Sequence, residues 1–182
     1  LLGPQFPDFF SFEGPPNRAW IEEGLIYVQD PSTSLACDLL DPKPGEKILD
    51  ACGAPGGKAA LLAARSGAPA SLTVADSSEV RLKRTEENLT RLHAGAASLR
   101  KVDWTESTTI PDDLGTFDAI LLDVPCSNTG VMRRRVDVRW RLQEGDFPRQ
   151  AALQSELLAH LAPFLRRGGR HVYSPSTIDR EE

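Results

Sequence analysis

The sequence predicts an α/β fold, a mostly parallel sheet with helices on both faces. Three observations predict it. Short apolar runs alternate with helical stretches along the 182 residues, and this alternation is how βαβ units read in a sequence. Four of the runs end at, or lead directly into, an acid: Asp50, Asp76, Asp103 and Asp123. A glycine-rich turn at 52–57 follows the first of these acids. Right-handed crossovers place the C-terminal ends of parallel strands along one edge, where open α/β sheets bind their ligands. A single acid at a strand end is commonly a helix cap or turn residue; four at one edge favour a ligand site.

The elements follow in order. Residues 1–23 are rich in Pro and Phe, have no period, and read as a loop or linker ahead of a domain at 24–182. Residues 24–29 read as a short strand. Residues 32–40 read as a short helix capped by Ser32 or Ser34 and broken by Asp41-Pro-Lys-Pro-Gly45. A strand at 47–51 leads into the glycine turn. A small-residue helix at 58–65 has Gly67 as its C-cap. Strand 71–76 precedes a helix at 79–93, capped by Ser77 or Ser78, with Leu82, Leu89 and Leu92 on one face. Strands follow at 98–102 and 117–123. A helix at 149–165 carries Leu153, Leu157, Leu161 and Phe164 on one stripe, Gly168-Gly169 ends it, and a last strand occupies 170–174.

Length and composition bound the alternatives. The length is that of one domain. With 40% hydrophobic and 26% charged residues, disorder, collagen and coiled coil are excluded. No apolar run approaches the roughly 20 residues of a membrane span. No signal or transit segment is expected ahead of the domain. The chain begins at Leu1 and ends just after a strand-like run. It is therefore expected to be part of a longer protein, with an N-terminal part and C-terminal strands missing. Cys37, Cys52 and Cys126 have no Cys-x-x-Cys spacing, and His93, His160 and His171 lie far apart. Neither a disulfide framework nor a metal site is expected. Free thiols fit a reducing, cytoplasmic setting, and a monomer is favoured. The net charge of −5 argues against a protein coated in nucleic acid, yet Arg133, Arg134, Arg135, Arg139 and Arg141 gather in one segment. Such a run is either a solvated face or a binding patch.

The glycine turn invites comparison with phosphate-binding loops and fails it. A P-loop needs Gly at 52 and Ser or Thr at 59, where this chain has Cys52 and Ala59. The missing hydroxyl is the one that would hold Mg²⁺. Gly53, Gly56 and Gly57 also miss the G-x-G-x-x-G intervals. What remains is a strand, a glycine turn that lets a ligand approach the backbone, and Asp76, 24 residues after Cys52, placed to accept ribose hydroxyls. Without a phosphate cradle, S-adenosylmethionine is favoured over a dinucleotide or a purely structural tight turn.

A second constellation is Asp123-Val-Pro-Cys-Ser-Asn-Thr-Gly130. A free cysteine is most often a small buried hydrophobe. Cys126, just past a strand end beside an acid, is instead placed for chemistry. Cys37 reads as core, and Cys52 as offering its backbone to a ligand more than its thiol.

Together, Asp50-Ala-Cys-Gly-Ala-Pro-Gly-Gly-Lys58, Asp123-Val-Pro-Cys126 with Ser127-Asn-Thr-Gly130, and Arg133-Arg134 through Asp137 to Trp140 resemble the Sun/Fmu family of RNA cytosine-C5 methyltransferases, in particular its bacterial branch acting on 16S ribosomal RNA. Val28-Gln29-Asp30, Tyr173-Ser174 through Ile178, and Glu181-Glu182 extend the match over about residues 24–182. The resemblance implies a class I, Rossmann-like methyltransferase fold using S-adenosylmethionine. It implies that Cys52, Gly53, Ala54, Pro55, Gly56, Gly57 and Lys58 line the cofactor, with Asp76 at the ribose, Arg81 nearby and Asp103 by the adenine. It places Asp123 at the cofactor and the target cytosine, with Cys126 beside it. Arg133, Arg134, Arg135, Arg139 and Trp140 would contact the RNA, where guanidinium groups bind phosphate and stack on bases.

The family's chemistry needs a thiolate that adds to cytosine C6. Its pattern has two cysteines, one after Pro beside the Asp and one in a Tyr-Ser-Thr-Cys-Ser run. The second is the usual nucleophile and the first aids product release. This chain reads Tyr173-Ser174-Pro175-Ser176-Thr177-Ile178, with Ser176 at the nucleophile's position. Three consequences compete: Cys126 serves as nucleophile, the protein binds cofactor and RNA with little or no transfer, or the chain is an altered version of a normal enzyme. Arg135-Val136 replaces the family's common His-Pro, which bears only on the RNA contacts.

Overall fold

The computed structural model describes residues 6, 8–67 and 71–182. Among these, five strands form one sheet: β1 Ile48–Asp50, β2 Leu72–Asp76, β3 Ser98–Lys101, β4 Phe117–Leu122 and β5 Leu165–Tyr173. All are parallel, in the order β3-β2-β1-β4-β5. Leu49 lies opposite Thr73 on one side and Ile120 on the other. The chain winds outward through β2 and β3, then returns to the other side of β1 through β4 and β5. The reversal opens a crevice beyond the C-terminal ends of β1 and β4, the usual ligand position in such sheets.

Among the described residues, six α-helices accompany the sheet: α1 Arg18–Glu22, α2 Thr33–Leu40, α3 Gly57–Ser66, α4 Glu79–Arg91, α5 Val138–Arg141 and α6 Asp146–Leu161. The strands alternate their faces. Ile48, Val74, Ala119 and Leu121 pack against Cys37 and Leu40 of α2, Ala59 and Leu62 of α3, and Leu89 of α4. Leu49, Ala75, Ile120 and Leu122 face Trp104 and Leu157 and Leu161 of α6. Both faces are therefore covered, which is why the central strands read as unbroken apolar runs. Each fully buried Leu or Ile contributes about 1.5–3 kcal/mol, so β1, β2 and β4 anchor the sheet. Edge strand β3 is only half-buried and carries Arg100 and Lys101, charges that discourage pairing with another edge.

Local signals set the helix ends. The Ser78 side chain accepts the Arg81 N–H at the start of α4, and Gly67 takes the left-handed conformation (φ 60°) that closes α3.

Three expectations are corrected. Residues 24–29 form no strand: the N–H groups of Leu25 and Ile26 turn back onto the Trp20 carbonyl at the end of α1, so they are not offered to a sheet. The segment 1–23 is not wholly loop, because α1 lies within it; residues 1–5 and 7 are outside the described residues. Gly168-Gly169 does not end the last helix. That helix stops at Leu161, a 3₁₀ turn at Ala162–Phe164 follows, and β5 already begins at Leu165. The two glycines sit inside β5 where its register against β4 slips between Phe117 and Ala119. A Cβ on Gly169 would lie 2.9 Å from the Asp118 carbonyl oxygen, so only glycine fits this irregularity.

Candidate active site

A cleft of about 450 Å³ opens at the C-terminal edge of the sheet. Its walls come from the turn after β1 (Cys52, Ala54), the end of β2 and start of α4 (Asp76, Ser77, Arg81), the turn after β3 (Asp103, Trp104, Thr105), and the loop after β4 (Asp123 to Cys126 and Asn128). Leu153 and Leu157 of α6, Arg135 and Ser176 complete it.

Asp76 is 1% exposed. Its Oδ1 accepts the Ser78 N–H at 2.9 Å and pairs with Arg81 Nη2 at 2.7 Å. Its Oδ2 is buried without a partner, and a buried acceptor left unpaired is costly. A hydroxyl donor from a ligand would relieve that cost. Asp103 is occupied differently: its Oδ1 accepts the Thr105 N–H at 3.0 Å and the Thr105 hydroxyl at 2.7 Å. The Trp104 indole N–H donates to the Ala51 carbonyl at 2.7 Å, tying the turn after β3 to the turn after β1.

The glycine turn crosses over β2. The Gly53 N–H donates to the Ala75 carbonyl at 3.0 Å, and a Cβ on Gly53 would sit 2.5 Å from both Asp50 Cγ and Val74 Cγ1. The Ala54–Pro55 peptide is cis, and Gly56 has φ 99°. This tight passage holds the turn against the sheet edge and brings Cys52 and Ala54 to the cleft wall.

Beneath the turn, Asp50 is completely buried and neither of its oxygens has a hydrogen-bond partner. Burial, and then the nearby Asp123 and Asp76 carboxylates, push its acid up to about 7, against the pull of Lys58. Lys58 Nζ instead reaches Asp123 Oδ2 at 2.5 Å, with Lys58 13% exposed. Burial, followed by the three aspartates, drives the Cys52 thiol up to about 12, so it stays protonated at neutral pH.

Cys126 is 9% exposed. The Ser176 backbone N–H donates to its sulfur at 3.2 Å, and the Ser176 carbonyl accepts the Gly130 N–H at 3.0 Å. Burial raises the Cys126 thiol above its ordinary value, while the backbone N–H groups of Asn128 and Ser176 pull the other way. Gln154 of α6 braces this loop: its amide donates to the Pro125 carbonyl at 3.0 Å and its oxygen accepts the Tyr173 hydroxyl at 2.6 Å.

The cleft thus brings together Cys52, Ala54, Asp76, Arg81, Asp103, Asp123, Cys126, Arg135 and Ser176. Gly53, Pro55, Gly56, Gly57 and Lys58 lie outside its wall and shape or charge it from behind. Arg133 and Arg139 are exposed, Arg134 pairs with Asp30, and Trp140 on α5 is 89% exposed. Sequence reasoning missed Trp104 and Gln154. Trp104 could have been noticed as an aromatic directly after a strand-end acid. Gln154 could have been noticed as a polar residue beside the leucine stripe of its helix. Asn128 lay inside the Asp123–Gly130 constellation but was given no role there. Among the described residues, no group of three or more His, Cys, Asp or Glu is arranged to hold a metal ion. No described helix is long and apolar enough to cross a membrane.

Residues 37–182 match the family model described as 16S rRNA methyltransferase RsmB/F. The chain is 42% identical over 156 residues to the ribosomal RNA small subunit methyltransferase B of Serratia proteamaculans, covering 86% of this chain and 36% of that protein. It is 43% identical over 161 residues to the protein of the same name from Yersinia pseudotuberculosis, covering 88% of this chain and 37% of that one. The chain therefore spans little more than a third of the length of these relatives. Among solved structures it is similar to NSun6 from Pyrococcus horikoshii with SFG: TM-score 0.79, 30% identity, covering 94% of this chain and 43% of that one. It is also similar to a methyltransferase homologue from Pyrococcus horikoshii: TM-score 0.76, 32% identity, covering 93% and 53%.

Proposed function

The chain belongs to the 16S rRNA methyltransferase RsmB/F family and has the class I methyltransferase fold, and from that premise we propose that it performs S-adenosylmethionine-dependent methyl transfer to C5 of cytosine in RNA, with ribosomal RNA as the substrate. One observation carries the proposal: a single cleft holds a nucleoside-type acid, Asp76, and a strand-end cysteine, Cys126. Ribosomal RNA as substrate would place the protein's work in the cytoplasm.

The residues present fit the cofactor. Asp76 Oδ2 is an orphaned buried acceptor at the wall, as a ribose hydroxyl requires. Val102, Leu153 and Leu157 give the same cleft apolar walls against which a purine can lie, beside Asp103. The glycine turn keeps the first strand's end open to a ligand. When bound, S-adenosylmethionine supplies an electrophilic methyl group on a sulfonium sulfur. Asp123, held by Lys58 at the cleft wall, would contact the target cytosine. Arg133, Arg134, Arg135, Arg139 and the exposed Trp140 supply phosphate contacts and a stacking surface. Here the Arg134–Asp30 pair must yield or be shared when RNA binds.

The chain's chemical task is to make C5 electron-rich. A thiolate bonded to C6 makes C5 enamine-like. Once C5 carries the methyl group, removal of its proton by a base, with breakage of the S–C6 bond, restores the ring and returns the thiolate. Ser176 stands where the family has its usual nucleophilic cysteine, and a hydroxyl is far weaker at neutral pH. Of the two thiols in the cleft wall, Cys52 is pushed up to about 12 by burial and three aspartates, which leaves Cys126 for the role.

The serine also favours a second reading, a cofactor- and RNA-binding homologue with little or no transfer. The two separate in one assay, the full chain with tritiated S-adenosylmethionine and 16S rRNA. Label transferred to cytosine C5 by the wild type supports the enzyme. Label appearing only in Ser176→Cys supports the decayed homologue. Failure of both proteins to bind S-adenosylhomocysteine overturns both readings.

A further inference from the structure

A second pocket of about 380 Å³ adjoins the cleft, and Cys126 belongs to the walls of both. The rest of this pocket is formed by Ser127, by Arg141, Leu142 and Gln143 around the end of α5, and by Asp146, Arg149 and Gln150 at the start of α6. Arg141 belongs to the arginine run noted in the sequence, and apart from Cys126 no residue of this pocket lines the cleft.

Its chemistry is that of a nucleotide subsite. Arg149 Nη2 pairs with Asp146 Oδ1 at 2.6 Å and Arg141 Nε with Asp137 Oδ2 at 3.4 Å, yet both arginine side chains are more than half exposed. A guanidinium has five N–H donors, so each retains a fork for a phosphate. Asp146 is already engaged, by Arg149 and by the Gln143 N–H at 2.9 Å, which offsets its repulsion of an anion. Gln150 Oε1 is buried with no hydrogen-bond partner. It is an acceptor waiting for a donor, and the edge of a nucleobase carries such donors.

We propose that this pocket holds the nucleotide adjacent to the target cytosine in the RNA strand, its phosphate on Arg149 and Arg141 and its base edge on the Gln150 carboxamide. The inference rests on the reading that the cleft takes a cytosine of RNA. That cytosine must leave its stack to be reached. A single strand running through the cleft then needs a second anchored nucleotide to fix its register, and the space sharing Cys126 adjoins the cleft directly. Phosphate contacts would set affinity, and the carboxamide would set preference for the neighbouring base.

The test is equilibrium binding of labelled single-stranded oligonucleotides to the full chain with S-adenosylhomocysteine present. The RNAs carry a central cytosine, with each neighbouring position set to the four bases or made abasic. Arg149→Ala should weaken all RNAs alike and lower the salt dependence. Gln150→Leu should lose about 2- to 10-fold, the scale of one hydrogen bond, on RNAs with the preferred neighbour only, and nothing on the abasic RNA. Unchanged S-adenosylhomocysteine affinity in both variants shows that the fold and cleft are intact. If both variants bind every RNA like wild type, the subsite is overturned. If Arg149→Ala weakens binding while Gln150→Leu matches wild type throughout, the pocket is a phosphate contact only and the base-reading proposal falls. If wild type binds cofactor but no RNA, the underlying reading fails, and that result appears in the wild-type arm alone.

Discussion

The Ser176 backbone N–H donates to the Cys126 sulfur at 3.2 Å. The position that carries the family's nucleophile therefore touches the other cysteine of the pattern through its main chain, a contact that its side chain does not alter. An N–H aimed at sulfur favours the thiolate, but burial outweighs it and leaves the Cys126 thiol raised. If Cys126 is the nucleophile, RNA containing 5-fluorocytosine should form a covalent adduct with the wild type, detected on a denaturing gel. Cys126→Ala should abolish the adduct and lower transfer by at least about 100-fold, the scale of a single catalytic group. An adduct that survives in Cys126→Ala sinks this role.

Asp76→Asn keeps the shape of a fully buried side chain while removing its charge. It should weaken S-adenosylhomocysteine binding about 10- to 100-fold, as expected for loss of a hydrogen bond to a charged group. Isothermal titration would measure it, and an unchanged affinity would place the ribose elsewhere.

Asp50 makes stability depend on pH in a direction opposite to a salt-bridged acid. Its folded-state acid lies at about 7, above the roughly 3.9 of an unfolded aspartate. Between these values the folded protein holds a proton that the unfolded chain has lost, so this group's contribution to stability falls as pH rises toward 7 and is level above it. Asp50→Asn should remove that slope and raise the melting temperature at pH 8, at about 2–4 °C per kcal/mol for a chain of this size. Melting curves of both proteins from pH 5 to pH 8 measure it; parallel curves would show that Asp50 is ionised throughout.

Gly53→Ala forces a methyl to within 2.5 Å of Asp50 Cγ and Val74 Cγ1. Overpacking of this kind costs about 1–3 kcal/mol, and here it also displaces the turn that carries Cys52 and Ala54. Denaturant titration should show the loss of stability, together with weaker cofactor binding. A variant as stable as wild type would mean that the turn has room to shift.

Gln154→Leu preserves volume but removes the donor to the Pro125 carbonyl and leaves the Tyr173 hydroxyl only its longer bond, 3.4 Å, to the Glu182 carbonyl. A cost of about 1–3 kcal/mol is expected. If Gln154 positions the Cys126 loop, transfer should fall mainly in kcat, and Gln154→Glu should restore part of it by still accepting from Tyr173. Equal losses in both variants would reduce Gln154 to a packing role.

Particular residues show where the sequence was legible. The strands were readable because β1, β2 and β4 are buried on both faces and so consist of apolar runs. The strand-end acids were readable because parallel topology gathers such ends at one edge. The 24–29 run failed because an apolar composition does not say whether a sheet edge is available, and here the backbone turned back onto α1. Gly168-Gly169 failed because a glycine pair reads equally as a helix stop or a strand irregularity. Its meaning depends on the Asp118 carbonyl of a neighbouring strand.

By itself, the sequence determined the α/β class, the glycine turn and the gathering of strand-end acids at one edge, since these follow from residue type and local spacing; the serine at the family's nucleophile position is legible only through the resemblance to the family. The tertiary structure alone decided which acid does what. Asp50, Asp76, Asp103 and Asp123 are equivalent as letters at strand ends. They became distinct only through their surroundings: Asp50 buried without partners, Asp76 half-paired, Asp103 satisfied by Thr105, and Asp123 held by Lys58. The cost of a charge depends on its burial and on the groups that reach it, and those groups come from 2 to 65 residues away along the chain.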